Sequence, residues 1–200
     1  MFVFVANHVV KLSTKNTLEN LSIVFLVSRP IGGVKIMETK KKIGYYGGKF
    51  FPMHKGHLFC IQKMAEMSDE GNIIIFINGP DERNYLKNHP FDSYLSVESR
   101  IAQVEKVCKM FPNLRYHVID CTNLRNPDGT EDWDAETPLV RAVLPHIDYV
   151  FSSEPSYDAY FKEAFPEAKH VVIDSDRKTM PISATKIREM SKEEREKWMV

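Results

Sequence analysis

The chain has 200 residues, 43% of them hydrophobic and 27% charged, and its 27 basic and 27 acidic side chains give a formal net charge of +0. This length suits a single domain with a substantial apolar core, and the charge balance excludes a general nucleic-acid binder, which carries a basic excess. The cysteines Cys60, Cys108 and Cys121 contain no CxxC pair, so neither a disulfide framework nor a zinc site is expected, and buried thiols in a reducing cytoplasm are.

Residues 1–40 show no sustained helical or strand period and run into Lys40-Lys41-Lys42. Their two short apolar stretches lack the basic n-region and small-residue cleavage site of a secretory signal. They are expected to form an extension outside the fold, with Met37 as an alternative start. The competing expectation is an extra hairpin from residues 2–10 and 21–27. No apolar run reaches membrane-spanning length.

From residue 42 the pattern is regular. Residues 43–46 predict a short buried strand closed by Gly47-Gly48. Leu58, Ile61, Met64 and Ala65 share one face of a helix. Residues 72–77 predict an apolar strand closed by Asn78-Gly79-Pro80. Residues 81–95 are polar and rich in turn formers and predict a loop. Ser96 is placed to cap a helix with Val97, Ile101, Val104, Cys108 and Phe111 on its apolar face, which makes Arg100 a helix-surface cation. Residues 114–119 predict a third strand, followed by a loop over 123–133 with turn chemistry at Asn126-Pro127-Asp128-Gly129. Thr137-Pro138 predicts the start of a short helix with proline at its first position. Strands at 149–151 and 170–173 flank a helix over 157–165. A helix over 184–190 follows, and Ser191 with Glu194 forms a capping box for the last one.

Strands alternating with helices predict an α/β fold: a doubly wound, parallel, five-stranded, Rossmann-like sheet in a single domain over residues 41–200. In such sheets ligands bind beyond the carboxyl ends of the strands. Neither GxGxxG nor GxxxxGK[ST] occurs, so a dinucleotide fingerprint and a P-loop are both unsupported.

The loop after the first strand reads Gly47-Gly48-Lys49-Phe50-Phe51-Pro52-Met53-His54-Lys55-Gly56-His57. Gly48 permits close backbone approach to a ligand. His54 and His57 fall on one face of a helix start. Gly56 removes a side chain that would crowd a phosphate, Lys49 and Lys55 add charge, and the helix N-terminus offers free N–H groups. Together these read as a triphosphate cradle. Taken singly, each has an ordinary structural explanation, and no third ligand stands at metal-binding spacing.

This loop resembles the HxGH signature of the nucleotidylyltransferase superfamily. That superfamily's second hallmark, a Ser/Thr-rich segment ending in Ile-Arg, is matched by Ile182-Ser183-Ala184-Thr185-Lys186-Ile187-Arg188. With Val150-Phe151-Ser152-Ser153-Glu154-Pro155 and Asp174-Ser175-Asp176-Arg177, the chain is similar to the NMN adenylyltransferase domain of the NadR family over roughly residues 42–190. It departs from full NadR proteins in having no Walker A motif, so no kinase domain is expected, and in lacking the family's Asn-Pro-Phe run after Arg188.

The resemblance implies transfer of the adenylyl group of ATP to nicotinamide mononucleotide (NMN), giving NAD and pyrophosphate. It places His54 and His57 on the triphosphate, with His57 facing the α-phosphate and Lys49 nearby. Gly48 and Phe50 belong to the same ATP site. Ser183, Thr185 and Arg188 hold the β- and γ-phosphates, Arg177 is a further phosphate ligand, and Ser152, Ser153 and Glu154 line the adenosine pocket. Mg²⁺ bridges phosphate oxygens rather than occupying a protein cage. Trp133 either stacks on the nicotinamide ring or packs in the core. The bland alternatives are that Ser183 and Thr185 only cap a helix, that Arg188 pairs with Glu189 or Glu193, and that Arg177 is a loop cation. Partners are expected to be small molecules, ATP and NMN, with no nucleic acid and no membrane; a homo-oligomer is left open. The rival functions are adenylyl or cytidylyl transfer to phosphopantetheine, FMN or an alcohol phosphate, and a nucleotide sensor without turnover.

Overall fold

A computed structural model describes residues 40–90 and 92–200; the extension, the alternative hairpin and the start at Met37 lie outside the described residues. The elements, in chain order, are β1 (Ile43–Gly48), α1 (Lys55–Met67), β2 (Glu70–Ile77), α2 (Pro80–Asn88), a 3₁₀ turn (Ser93–Leu95), α3 (Val97–Met110), β3 (Leu114–Asp120), α4 (Trp133–Val143), β4 (Tyr149–Ser152), a second 3₁₀ turn (Pro155–Tyr157), α5 (Asp158–Ala164), β5 (Lys169–Val172), α6 (Ala184–Glu189) and α7 (Lys192–Glu196). The five strands pair in the order β3-β2-β1-β4-β5, and every pairing is parallel. Among the described residues no helix is long and apolar enough to cross a membrane.

The sheet is buried on both faces because its inner strands are apolar on both. Along β2, Ile73, Ile75 and Ile77 pack on one side with Cys60, Ile61 and Met64 of α1 and Val104 and Val107 of α3. Ile74 points the other way, into a second core with Val140 of α4, Leu144 and Phe165. This is the period-2 alternation of a strand covered on both faces. Helices α1 and α3 therefore cover one face and α4 and α5 the other, the doubly wound arrangement predicted from the alternation of elements.

Two predicted elements differ. The stretch read as a loop contains α2, with Pro80 at its start, Asp81 and Glu82 in its first turn and Lys87 in its last. These suit the helix dipole, but the segment is too polar to show an apolar period. Helix α4 starts at Trp133 rather than at Thr137. Asp132 caps it by accepting from Ala135 N at 2.9 Å, and Pro138 lies inside the helix.

Arg100 is not a surface cation. It is fully buried and forms a two-pronged ion pair with Glu82. Its Nη1 also donates to the carbonyl of Lys49 at 2.8 Å, and Glu82 accepts from Asn78 N at 3.1 Å. One buried pair thus ties α3, the β2–α2 turn and the loop after β1 together. Removing one partner leaves an uncompensated charge in the interior. Arg100→Met is therefore expected to lower unfolding free energy by about 3–5 kcal/mol, read from urea titration. The Glu82→Gln, Arg100→Met double variant should recover part of the loss; a single variant as stable as the parent would contradict this account.

Candidate active site

Strand order reverses between β1 and β4, which pair through Gly44–Tyr149 and Tyr45–Val150. A crevice opens beyond the carboxyl ends of strands at such a switch point. Two adjoining cavities lie there. The smaller, about 240 Å³, is lined by His54, Gly56, Ser152, Ser153, Glu154, Arg177 and Ser183, among others. The larger, about 560 Å³, is lined by Gly48, Lys49, Phe50, Trp133, Thr185 and Arg188, among others. Gly47, His57, Tyr157 and Ala184 belong to both walls.

Helix α1 begins in a reciprocal cap. His54 is the N-cap residue, and its Nδ1 accepts from Gly56 N at 3.1 Å and His57 N at 3.3 Å. His57 Nδ1 in turn accepts from His54 N at 3.2 Å. The rings stack at 3.7 Å between centroids. Lys55 N donates to Trp198 O at 2.8 Å. The expected free N–H groups are thus already taken, because side chains and the C-terminal segment satisfy the first turn. Gly56 also has a different reason from the one expected: a Cβ there would meet the His54 ring at 2.9 Å.

Because each Nδ1 accepts, the proton of each neutral ring sits on Nε2. Burial, then the charge of Arg177, lowers His54 to about 4. His57 is held well below the usual histidine range by burial, then by His54 and Arg177. Both are neutral Nε2–H donors at neutral pH.

The late hallmark meets the early one. Arg188 Nη1 donates to Phe51 O at 2.6 Å and Nη2 to Thr185 Oγ1 at 3.1 Å, with its guanidinium over the Phe51 and Tyr85 rings at 5.3 and 5.1 Å. It pairs with neither Glu189 nor Glu193 among the described contacts. Ser183 does cap α6, accepting from Lys186 N at 3.3 Å.

Other expected residues are engaged locally. Arg177, in the left-handed backbone region at φ 53°, donates to Ile182 O at 2.6 Å and Glu154 Oε1 at 2.5 Å. The Ser152 hydroxyl is shared with His170 Nε2 at 2.8 Å and accepts from Glu154 N at 3.2 Å. Phe50 is a packing residue, 1% exposed, with its ring edge-on to His57 at 5.1 Å. The atoms nearest a Cβ on Gly48 would belong to that ring, at ordinary contact distance. Lys49 is paired with Glu131 at 2.5 Å and Asp81 at 3.3 Å. Burial works to lower its pKa, but the Glu131 hydrogen bond and charge, then Asp81, raise it overall. Lys55 is exposed and lines neither cavity, so its charge points away.

Trp133 is half-buried, edge-on to Tyr157 and Tyr160 at 5.0 and 5.2 Å, and lines the larger cavity. The sequence reading missed Tyr45, Tyr85, Glu131, Glu136 and Tyr160, which share that cavity. Only Glu131 and Glu136, flanking Trp133, carried a signal, and it was hidden by placing the start of α4 too late.

Residues 45–190 match the family described as cytidylyltransferase-like. Among curated relatives, the trifunctional NAD biosynthesis/regulator protein NadR of Salmonella typhimurium is 26% identical over 165 residues, covering 78% of this chain and 38% of the relative. The chain thus spans under two fifths of that protein's length. The phosphopantetheine adenylyltransferase of Streptococcus pneumoniae is 28% identical, covering 76% of this chain and 84% of the relative. For the nicotinamide-nucleotide adenylyltransferase of Thermococcus sibiricus the identity is 29%, with 72% and 70% covered. The fold matches that of a NadR crystal structure in complex with NR, with a TM-score of 0.57 at 24% identity, over 80% of this chain and 43% of that one.

The neutral imidazoles have a consequence for stability. An unfolded histidine titrates near about 6.5, and folded His54 near about 4. Between these values the unfolded chain binds the extra proton, so this contribution is complete above 6.5 and is lost as pH falls toward 4. The urea midpoint should fall over that window. His54→Asn, which keeps a capping acceptor, should fall less, and an equal decline in parent and variant would refute the assignment.

Proposed function

The chain belongs to the cytidylyltransferase-like family, and from that premise we propose that it transfers the adenylyl group of ATP to the phosphate of nicotinamide mononucleotide, forming NAD and releasing pyrophosphate. The observation that carries this reading is the shared wall between the two cavities. The adenosine of one substrate and the ring of the other are assigned to separate cavities, and His57 stands where the cavities meet. Adenosine is assigned to the smaller cavity, beside Ser152, Ser153, Glu154 and Arg177. The acceptor's ring is assigned to the larger, beside Trp133.

A phosphate oxygen of the acceptor forms the new bond to the α-phosphorus, the bond from that phosphorus to the β-bridging oxygen breaks, and pyrophosphate leaves with the electron pair. The nucleophile is already anionic, so no side chain need remove a proton. Catalysis is then positioning and charge stabilisation. The Nε2–H groups of His54 and His57 donate to the charge developing at the α-phosphate. Thr185 and Arg188 receive the β- and γ-phosphates, with Ser183 at the adjoining edge. Arg188 must exchange its Phe51 carbonyl partner for a phosphate oxygen, a stronger charge-assisted partner. Lys49 contributes as part of its carboxylate pair rather than as a free cation. A divalent cation such as Mg²⁺ would enter with the triphosphate and would supply charge neutralisation at its oxygens, beside Thr185 and Arg188.

In this reading residues 41–200 are the catalytic unit. Only the chemistry of the shared segment is carried over from the NadR relative. The match to a phosphopantetheine adenylyltransferase supports phosphopantetheine as the second acceptor to test. Purified protein supplied with ATP or CTP and each acceptor should release pyrophosphate with ATP and NMN; release with CTP but not ATP would overturn the assignment. His57→Ala should lower kcat by about 10²–10³, the cost of one lost donor at a developing charge, and unchanged turnover would remove His57 from the mechanism.

A further inference from the structure

The larger cavity carries groups that adenylyl transfer does not use. Helix α4 presents Trp133 and Glu136 three residues apart, hence on one face, and both line the cavity. Three other carboxylates line it with cationic partners: Asp81 and Glu131 hold Lys49, and Glu82 holds Arg100. Glu136 has no cationic partner among the described residues. Its Oε1 accepts the Cys121 thiol at 3.4 Å, and no donor reaches its Oε2 among those residues. The Tyr45 phenol faces the same space. Tyr45 is 5% exposed, and its hydroxyl lies where a Cβ on Gly47 would stand, at the edge of the shared wall, with no hydrogen-bond partner among the described residues.

We infer that Glu136 selects an acceptor whose ring bears a neutral carboxamide over one bearing a carboxylate, and that Tyr45 anchors the substituent's carbonyl oxygen. The inference rests on the pyridine-nucleotide acceptor proposed above. A carboxamide brings an N–H donor to Glu136 Oε2 and a carbonyl acceptor to the Tyr45 hydroxyl, so both unpartnered groups are satisfied. A carboxylate satisfies Tyr45 equally but sets a like charge against Glu136 in a partly buried site. The pyridinium charge is common to both acceptors and does not separate them. Burial, opposed by the Cys121 hydrogen bond and reinforced by Glu131, raises the Glu136 carboxyl to about 7. The groups around it are Cys121, Glu131, Lys49, Asp132, Tyr45 and Tyr160. The charged form that discriminates therefore prevails at pH 8.

The test compares kcat/KM at pH 8, with ATP, for nicotinamide mononucleotide and nicotinate mononucleotide. The parent should favour the amide by about 100-fold, as a site loses when a buried polar group meets the wrong partner. Glu136→Gln should shrink that ratio at least about tenfold, because a glutamine amide donates to a carboxylate. Tyr45→Phe should raise KM for both acceptors about tenfold, as when one buried hydrogen bond is lost, and leave the ratio in place. A parent that favours the carboxylate, or a Glu136→Gln ratio equal to the parent's, overturns the inference while the transfer reading stands. If neither acceptor turns over, the transfer reading fails. Calorimetric binding of the same two mononucleotides then decides: an amide preference that Glu136→Gln abolishes sustains the inference, and equal affinities overturn it.

Discussion

The turn after β1 closes on itself through two imidazoles, and the rest of the site follows from that closure. Each ring spends its Nδ1 lone pair on a backbone N–H of the same turn. This fixes both tautomers, presses the rings into a stack and directs both Nε2–H groups outward. It also consumes amides that would otherwise present an anion site. The donors left facing the crevice are therefore imidazole edges rather than backbone amides, and the rings remain neutral because burial disfavours their charged forms.

A closed turn must still be held at the right place on the sheet, and buried or shielded cations do this from two sides. Arg100 grips the Lys49 carbonyl from the core, while Arg188 grips the Phe51 carbonyl from α6. The C-terminal segment adds a third tie, with Trp198 O on Lys55 N and a bridge between His54 and Met199. A peptide segment of few residues is thus fixed at several points, as the proposed reaction requires of a site whose catalysis is chiefly placement. Of these ties, Arg188 lines the cavity and can be redirected by a ligand; Arg100, paired with Glu82 in the interior, cannot.

The two cavities differ in character because different elements build them. The smaller is walled by turns after β4 and β5, where Arg177, Glu154 and Ser152 are locked in mutual hydrogen bonds. The larger is walled by α2 and α4, with aromatic rings and four carboxylates. An acidic, aromatic chamber suits a cationic ring, and the position proposed for the polyphosphate is the Arg188 edge of that chamber, beside His57.

The sequence by itself determined the α/β class, the parallel sheet and the two turns that carry His54, His57 and Arg188, since apolar periods, caps and motif spacing are local properties. It also placed Ser96 and Ser191 as caps, as observed. It could not reveal α2, whose polar helix is secured by a buried contact to another element, nor the start of α4, where an aspartate cap overrode the proline preference. Arg100 at a surface position and Lys55 in the cradle were misplaced for the same reason: the periodicity of one helix does not say what packs against it or which way a lysine points. Glu136, Tyr45 and the shared wall at Gly47 and His57 belonged to the tertiary structure alone. Tyr45 and Gly47 lie on β1 and His57 on the adjoining α1, whereas Glu136 comes from the distant α4, and only folding of the sheet around its switch point brings α4 to the same cavity.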